Sequence, residues 1–251
     1  MAGMFGVALL ASGCGTTESR AAAGSAAPHP VETSSTSTRP TSTTSTTLER
    51  PKPFDPSKPI DLGGERGVTP AEQRRAEKLV TETIADTKNL SNPAVAQYLG
   101  YRSIGDTATG DEHYVKWSFV DDGHILDPTR PESLVYEWRG GKQQLAAVMY
   151  MMPFNSRFTD VPDVGGALTQ WHVHRDLCLT NDPTQKVLSG LVGINGVCPP
   201  GSSKAGAATP MLHVWVVPNP CGPFAALEGV GAGQVPDGQT RLCDTLHGST
   251  S

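Results

Sequence analysis

Past its N-terminal stretch the chain has no apolar run as long as a transmembrane helix needs, so nothing after that stretch is expected to span a membrane. It also lacks a basic stripe. Its 20 Lys and Arg residues are scattered and the net charge is −5, so the electrostatic footprint of a nucleic-acid binder is missing and neither DNA nor RNA is an expected partner. No C-x-x-C pair occurs, which argues against a thiolate metal site. The G-x-S-x-G elbow, the H-E-x-x-H helix and the P-loop are all missing. Gly229, Gly231 and Gly233 form a G-x-G-x-G run, but in a late loop with no strand before it, so no phosphate role is read there. Catalytic residues are therefore left unassigned, and whether the protein is an enzyme stays open.

Bulky apolar side chains are almost absent from residues 14–60, which are mostly Ser, Thr, Ala, Pro and Gly. Such a segment cannot bury enough surface to fold. It reads as a disordered tether with a root-mean-square span of roughly 40 Å. Before it, residues 1–13 form a short apolar run ending in Ala11-Ser12-Gly13, followed by Cys14. Small residues ahead of a cysteine suit a lipoprotein signal peptidase, and acyl chains on Cys14 would hold the mature protein to the outer face of the cell membrane. An exported, lipid-anchored protein is the expectation.

Residues 61–251 read as one α+β domain with a disordered C-terminal tail, long enough to bury its own core. With Cys14 assigned to lipid, four of the five cysteines remain: Cys178, Cys198, Cys221 and Cys243. An even number in an exported domain favours two disulfides, and of three pairings the sequential one closes two loops of about 20 residues, each stabilising by roughly 3 kcal/mol.

Two helices open the domain. Thr69 can cap, Pro70 suits the first turn and Glu72 completes a capping box before Leu79, Val80, Ile84 and Leu90. Asn92 and Pro93 repeat the start signal, and Gly100 ends that segment. The period then changes to two, with strands expected at His113–Phe119, Ser133–Trp138, Gln144–Met152, Gln170–Leu179 and Met211–Val217. Helices first and strands later imply a mostly antiparallel sheet, with curling into a barrel as an open alternative.

The candidate for chemistry is WHVH, since on a strand His172 and His174 project from one face and can offer two imidazoles to one ion. His213 in MLHVWVV and His113 in EHYVKW also fall on expected strands, so up to four histidines could converge as metal ligands. Zinc would take three imidazoles at about 2.0–2.1 Å, whereas thioethers such as Met149, Met151 or Met152 would favour copper(I). A lone strand histidine is more often a hydrogen-bonded core or surface residue, and His29, His124 and His247 are read that way. The acidic pairs Asp111–Glu112 and Asp121–Asp122 are read as solvated turns. The competing reading is a cell-envelope binding module, its aromatic platform made by Trp117, Trp138, Trp171 and Trp215, which takes a carbohydrate, protein or other cell-wall component without metal.

Two resemblances add to this. The spacing from Gly166 to His172 and His174 resembles the opening of the first cupin motif and so implies a cupin-like barrel. Where a cupin places a glutamate ligand this chain has Cys178 and Leu179, so no cupin chemistry follows. Gly100-Tyr101, His113-Tyr114, Pro131 to Glu137 and Leu212 to Ala225 together resemble an uncharacterised family of small exported lipoproteins of actinobacterial type. That resemblance implies a shared architecture and a shared site at His113 and His213. The family's Glu-Tyr in the next strand is here Met149-Tyr150, which removes one carboxylate ligand.

Overall fold

The computed structural model describes residues 51–182, 185–205, 209–228 and 245–246. They belong to one compact unit, Thr46–Ser251. The expected signal at residues 1–13, Cys14, His29, Cys243, Gly229 to Gly233 and the expected C-terminal tail with His247 all lie outside the described residues.

The helix signals act as read. Helix α1 is Pro70–Asp86, with the Thr69 hydroxyl accepting from the Glu72 amide and the Glu72 carboxylate accepting from the Thr69 amide. It buries Ala76, Leu79, Val80 and Thr83 on one stripe. Leu90 falls beyond it, in a 3-10 turn at Lys88–Leu90. Helix α2 is Pro93–Tyr98, capped by Asn92 and followed by Gly100 at φ 97°, a left-handed position that glycine occupies without strain.

Five strands form the main antiparallel sheet: β1 (Arg102–Ser103), β2 (Asp111–Val115), β3 (Ser133–Arg139), β4 (Lys142–Met151) and β8 (Met211–Trp215), in the order β1-β2-β3-β4-β8. Gly140 and Gly141, both at positive φ, join β3 to β4 in the two-residue turn that matches strand twist. A second sheet of β5 (Leu177–Thr180), β6 (Leu188–Leu191) and β7 (Ser202–Lys204) has the order β6-β5-β7. β9 (Leu227–Glu228) pairs in parallel with β10 (Thr245–Leu246). Neither large sheet closes on itself, so the fold is α+β as expected, while the barrel alternative and the cupin-like barrel do not hold.

The period of two gives the main sheet two distinct faces. On one, Tyr114, Tyr136 and Tyr150 reach the helical layer: Tyr136 donates to the Leu90 carbonyl (2.5 Å) and the Tyr150 hydroxyl bonds that of Thr83 (2.7 Å). The other face carries His113, Val115, Met149, Met151, Met211 and His213 towards Leu177, Leu179 and Leu188 of the second sheet.

Three expectations need correction. Order begins ahead of residue 61: Phe54 is buried and pairs with Asn219 through both backbone hydrogen bonds, so the end of the presumed 14–60 tether is part of the core. The strand expected over His113–Phe119 stops at Val115, and Trp117–Phe119 is a 3-10 turn. The strand expected over Gln170–Leu179 is interrupted, leaving bridge residues at His172 and Val173 and a true strand only from Leu177.

Cys178 and Cys198 are disulfide-bonded with Cα atoms 5.6 Å apart, as the sequential pairing expects. Cys221 is also disulfide-bonded, and Cys243, its expected partner, lies outside the described residues. The Cys178–Cys198 bridge ties β5 to the loop that precedes β7. Replacing both cysteines by Ala is expected to lower the unfolding free energy by about 3 kcal/mol, read from urea denaturation, because the freed loop regains its closure entropy.

Candidate metal centre

His113 sits on β2 and His213 on β8, with β3 and β4 between them. In a flat sheet three inter-strand steps would separate those strands by about 14 Å. Their ring centres are only 5.8 Å apart. The sheet therefore curls, and the two imidazoles lean towards each other over a face where the intervening strands carry Val135 and Ala147.

His172 is held at the free edge of β8, where its amide and carbonyl both bond Met211 (3.0 and 2.8 Å). That bridge sets its ring 5.0 Å from the His213 ring at an interplanar angle of 13°. The His174 ring then lies 5.4 Å from that of His172, edge to face. All four histidines singled out in the sequence thus form one continuous row in the order His113, His213, His172, His174. His113, His172 and His213 are buried and His174 is half-buried.

The His113 and His172 rings are anchored at Nδ1. The Asp106 carboxylate meets Nδ1 of His113 at 2.6 Å and accepts from the His113 amide at 2.9 Å, gripping ring and backbone together. Nδ1 of His172 donates to the Gln170 carbonyl at 3.1 Å. An imidazole that donates from Nδ1 carries its lone pair on Nε2 when neutral. A carboxylate or carbonyl behind Nδ1 is the support that metal-binding histidines use. Burial disfavours charge on His113, but the Asp106 carboxylate, with Asp111 and Glu112, outweighs it and raises the His113 pKa. Burial likewise opposes ionisation of Asp106, yet His113 prevails and its pKa is lowered.

The row opens onto a cavity of about 100 Å³ between the two sheets. His113, His174 and His213 form its polar wall with Asp106, and most of the remainder is apolar, including Met149, Met151 and Met211. Met152, the third thioether considered from the sequence, is buried and not among the cavity's lining residues.

Spacing favours a metal more than ring orientation does. An ion bound at about 2.0–2.1 Å lies roughly 3.2 Å from each ring centre, so tetrahedral ligands stand about 5 Å apart. The neighbouring pairs in the row, at 5.0, 5.4 and 5.8 Å, each match the separation of two ligands on one ion. Yet among the described residues no group of three or more His, Cys, Asp or Glu side chains is arranged to hold a metal ion. The near-parallel His172 and His213 rings stand 5.0 Å apart, and they would have to rotate for both to face one ion.

Asp106 is the site residue that the sequence does not reveal. It comes from the irregular segment before β2 and carries no periodic signal. Asp111, expected in a solvated turn, is instead buried, facing Glu137 across β2 and β3, and Glu137 pairs with Arg139. The four-tryptophan platform does not form: Trp171 and Trp215 are core, Trp138 is 55% exposed, and Trp117 stacks on Phe154 with ring centres 6.4 Å apart. No family model, curated protein or solved structure matches the chain.

Proposed function

We propose that the protein binds a transition-metal ion, zinc or copper, through His172, His174 and His213, with His113 as fourth ligand or support. The observation that carries this reading is the unbroken row of four imidazoles at ligand spacing, two of them backed at Nδ1 by Asp106 and the Gln170 carbonyl. Isolated core histidines need one hydrogen-bond partner each and gain nothing from one another. Four gathered in a largely apolar place carry a desolvation cost that a shared cation offsets. An apolar cavity against the row gives a small ligand access to the ion, and metal-assisted hydrolysis through a bound water is the first reaction class to try. Export and a lipid anchor at Cys14, with a hydroxyl-rich tether from there to about residue 50, would place this site outside the cell membrane.

The test is elemental analysis of the untagged full chain, made with its disulfides oxidised, beside the His172→Ala, His174→Ala double variant. Near one equivalent of metal is expected in the parent and little in the variant, with both retaining their circular dichroism. A parent that holds no metal after exposure to zinc and copper would overturn the reading and leave the apolar cavity as a site for a metal-free ligand.

A further inference from the structure

We infer that the ion this site selects is copper(I), and that the thioethers of Met149, Met151 and Met211 complete its donor set. The inference rests on the metal reading above and adds to it the identity of the ion. Six methionines occur in the chain, and of the four in the described residues three line one cavity, the cavity whose polar wall is His113, His174 and His213. Strand register is what mixes the two side-chain types. Met149 stands directly opposite His213 in the β4–β8 pair, Met151 opposite Met211, and Met211 in turn opposite His172. Side chains directly opposite in an antiparallel pair have Cβ atoms about 4.5–5.5 Å apart, within reach of one ion for residues as long as these.

Donor softness then decides between metals. Thioether sulfur and imidazole nitrogen together suit copper(I), whereas magnesium, calcium and manganese want oxygen ligands. The nearby carboxylate, Asp106, is engaged by His113 at 2.6 Å and so serves as support rather than as a ligand. Charge points the same way. A monovalent ion enters a largely apolar cavity at a much lower desolvation cost than a dication does.

Methionine also fills irregular cores, and as mere filler these three could be exchanged for leucine with little consequence. That exchange is the experiment. The full chain and its Met149→Leu, Met211→Leu variant would compete for copper(I) with bathocuproine disulfonate under ascorbate, and separately be titrated with zinc. The expected result is copper(I) affinity reduced by at least roughly tenfold in the variant, with zinc affinity and urea unfolding close to the parent's. Equal copper(I) affinities in parent and variant would overturn the inference while leaving the histidine site standing. A parallel loss of copper(I) and zinc would overturn it too, since a general distortion of the site moves both. If the parent binds neither ion, the metal reading itself falls.

Discussion

Replacing Glu132 by Gln is expected to make the protein more stable at alkaline pH and to leave it nearly unchanged at pH 5. Glu132 immediately precedes β3 and is only 1% exposed. Burial is the main cause that raises its pKa from 4.5 to about 8, with the negative charges of Asp122 and Asp127 adding to it and the Met151 amide, which donates to Oε2 at 3.0 Å, acting against it. The direction with pH follows from proton counting. Between about 4.5 and 8 the folded chain holds a proton that the unfolded chain has released, so stability falls as pH rises through that window and levels off above it. The full loss is at most about 5 kcal/mol. Gln copies the neutral acid, keeps an acceptor for the Met151 amide and has no proton to lose. Urea denaturation of parent and variant at pH 5 and pH 9 should show the gap between them widening by several kcal/mol in favour of the Glu132→Gln variant. A gap that stays constant with pH would mean that Glu132 is ionised in the folded state. The position matters for the site as well, because Met151 forms part of the cavity wall and Glu132 fixes its backbone.

What can be read from the sequence follows the strength of the local signal. α1 announces itself through Thr69, Pro70 and Glu72, because capping chemistry is local and its residue types are few. β3, β4 and β8 are legible nearly to their ends, because short runs of apolar and aromatic residues bounded by turn signals mark strands buried on both faces. β6 and β7 are not. LSGL and SSK are short and poor in β-branched and aromatic residues, and those strands are held instead by pairing with β5 and by the Cys178–Cys198 bridge. Phe54 is lost among prolines, whose composition signals a linker even though one aromatic ring is enough to dock the segment.

The histidine row shows the same division. Residue identities are legible, since H-x-H and two further strand histidines stand out against a background poor in other chemistry. Their convergence is not, because it depends on strand order and on a curl that brings the second and fifth strands of the sheet together. The same-face argument for His172 and His174 presumes a regular strand. The chain forms bridges at His172 and Val173 but no continuous strand through His174, and the two rings meet edge to face instead of side by side. The tryptophans illustrate the opposite error: Trp215 is fully buried with its indole N–H donating to the Ala225 carbonyl at 2.8 Å, a core role that an aromatic on a strand fills by default.

Asp106→Asn should weaken metal binding by roughly 10- to 100-fold, the range that loss of a supporting carboxylate costs a histidine ligand. Asp106 now accepts twice from one residue, Oδ1 from the His113 amide and Oδ2 from Nδ1. Asn has a single oxygen for those two donors. If that oxygen keeps the backbone amide, the Asn NH2 faces Nδ1 and forces the lone pair there, which moves the ring proton to Nε2, the nitrogen that would bind the ion. The same substitution also removes one partner of a buried ion pair, so the unfolding free energy should drop by about 3 kcal/mol. Isothermal titration with zinc, beside urea unfolding of the metal-free protein, separates the two effects. A variant that is less stable yet binds zinc as the parent does would remove His113 from the ligand set and leave His172, His174 and His213 to hold the ion alone. Weakened binding in a variant that remains folded would put Asp106 and His113 in the site as one unit, with the carboxylate choosing the tautomer and the imidazole meeting the metal.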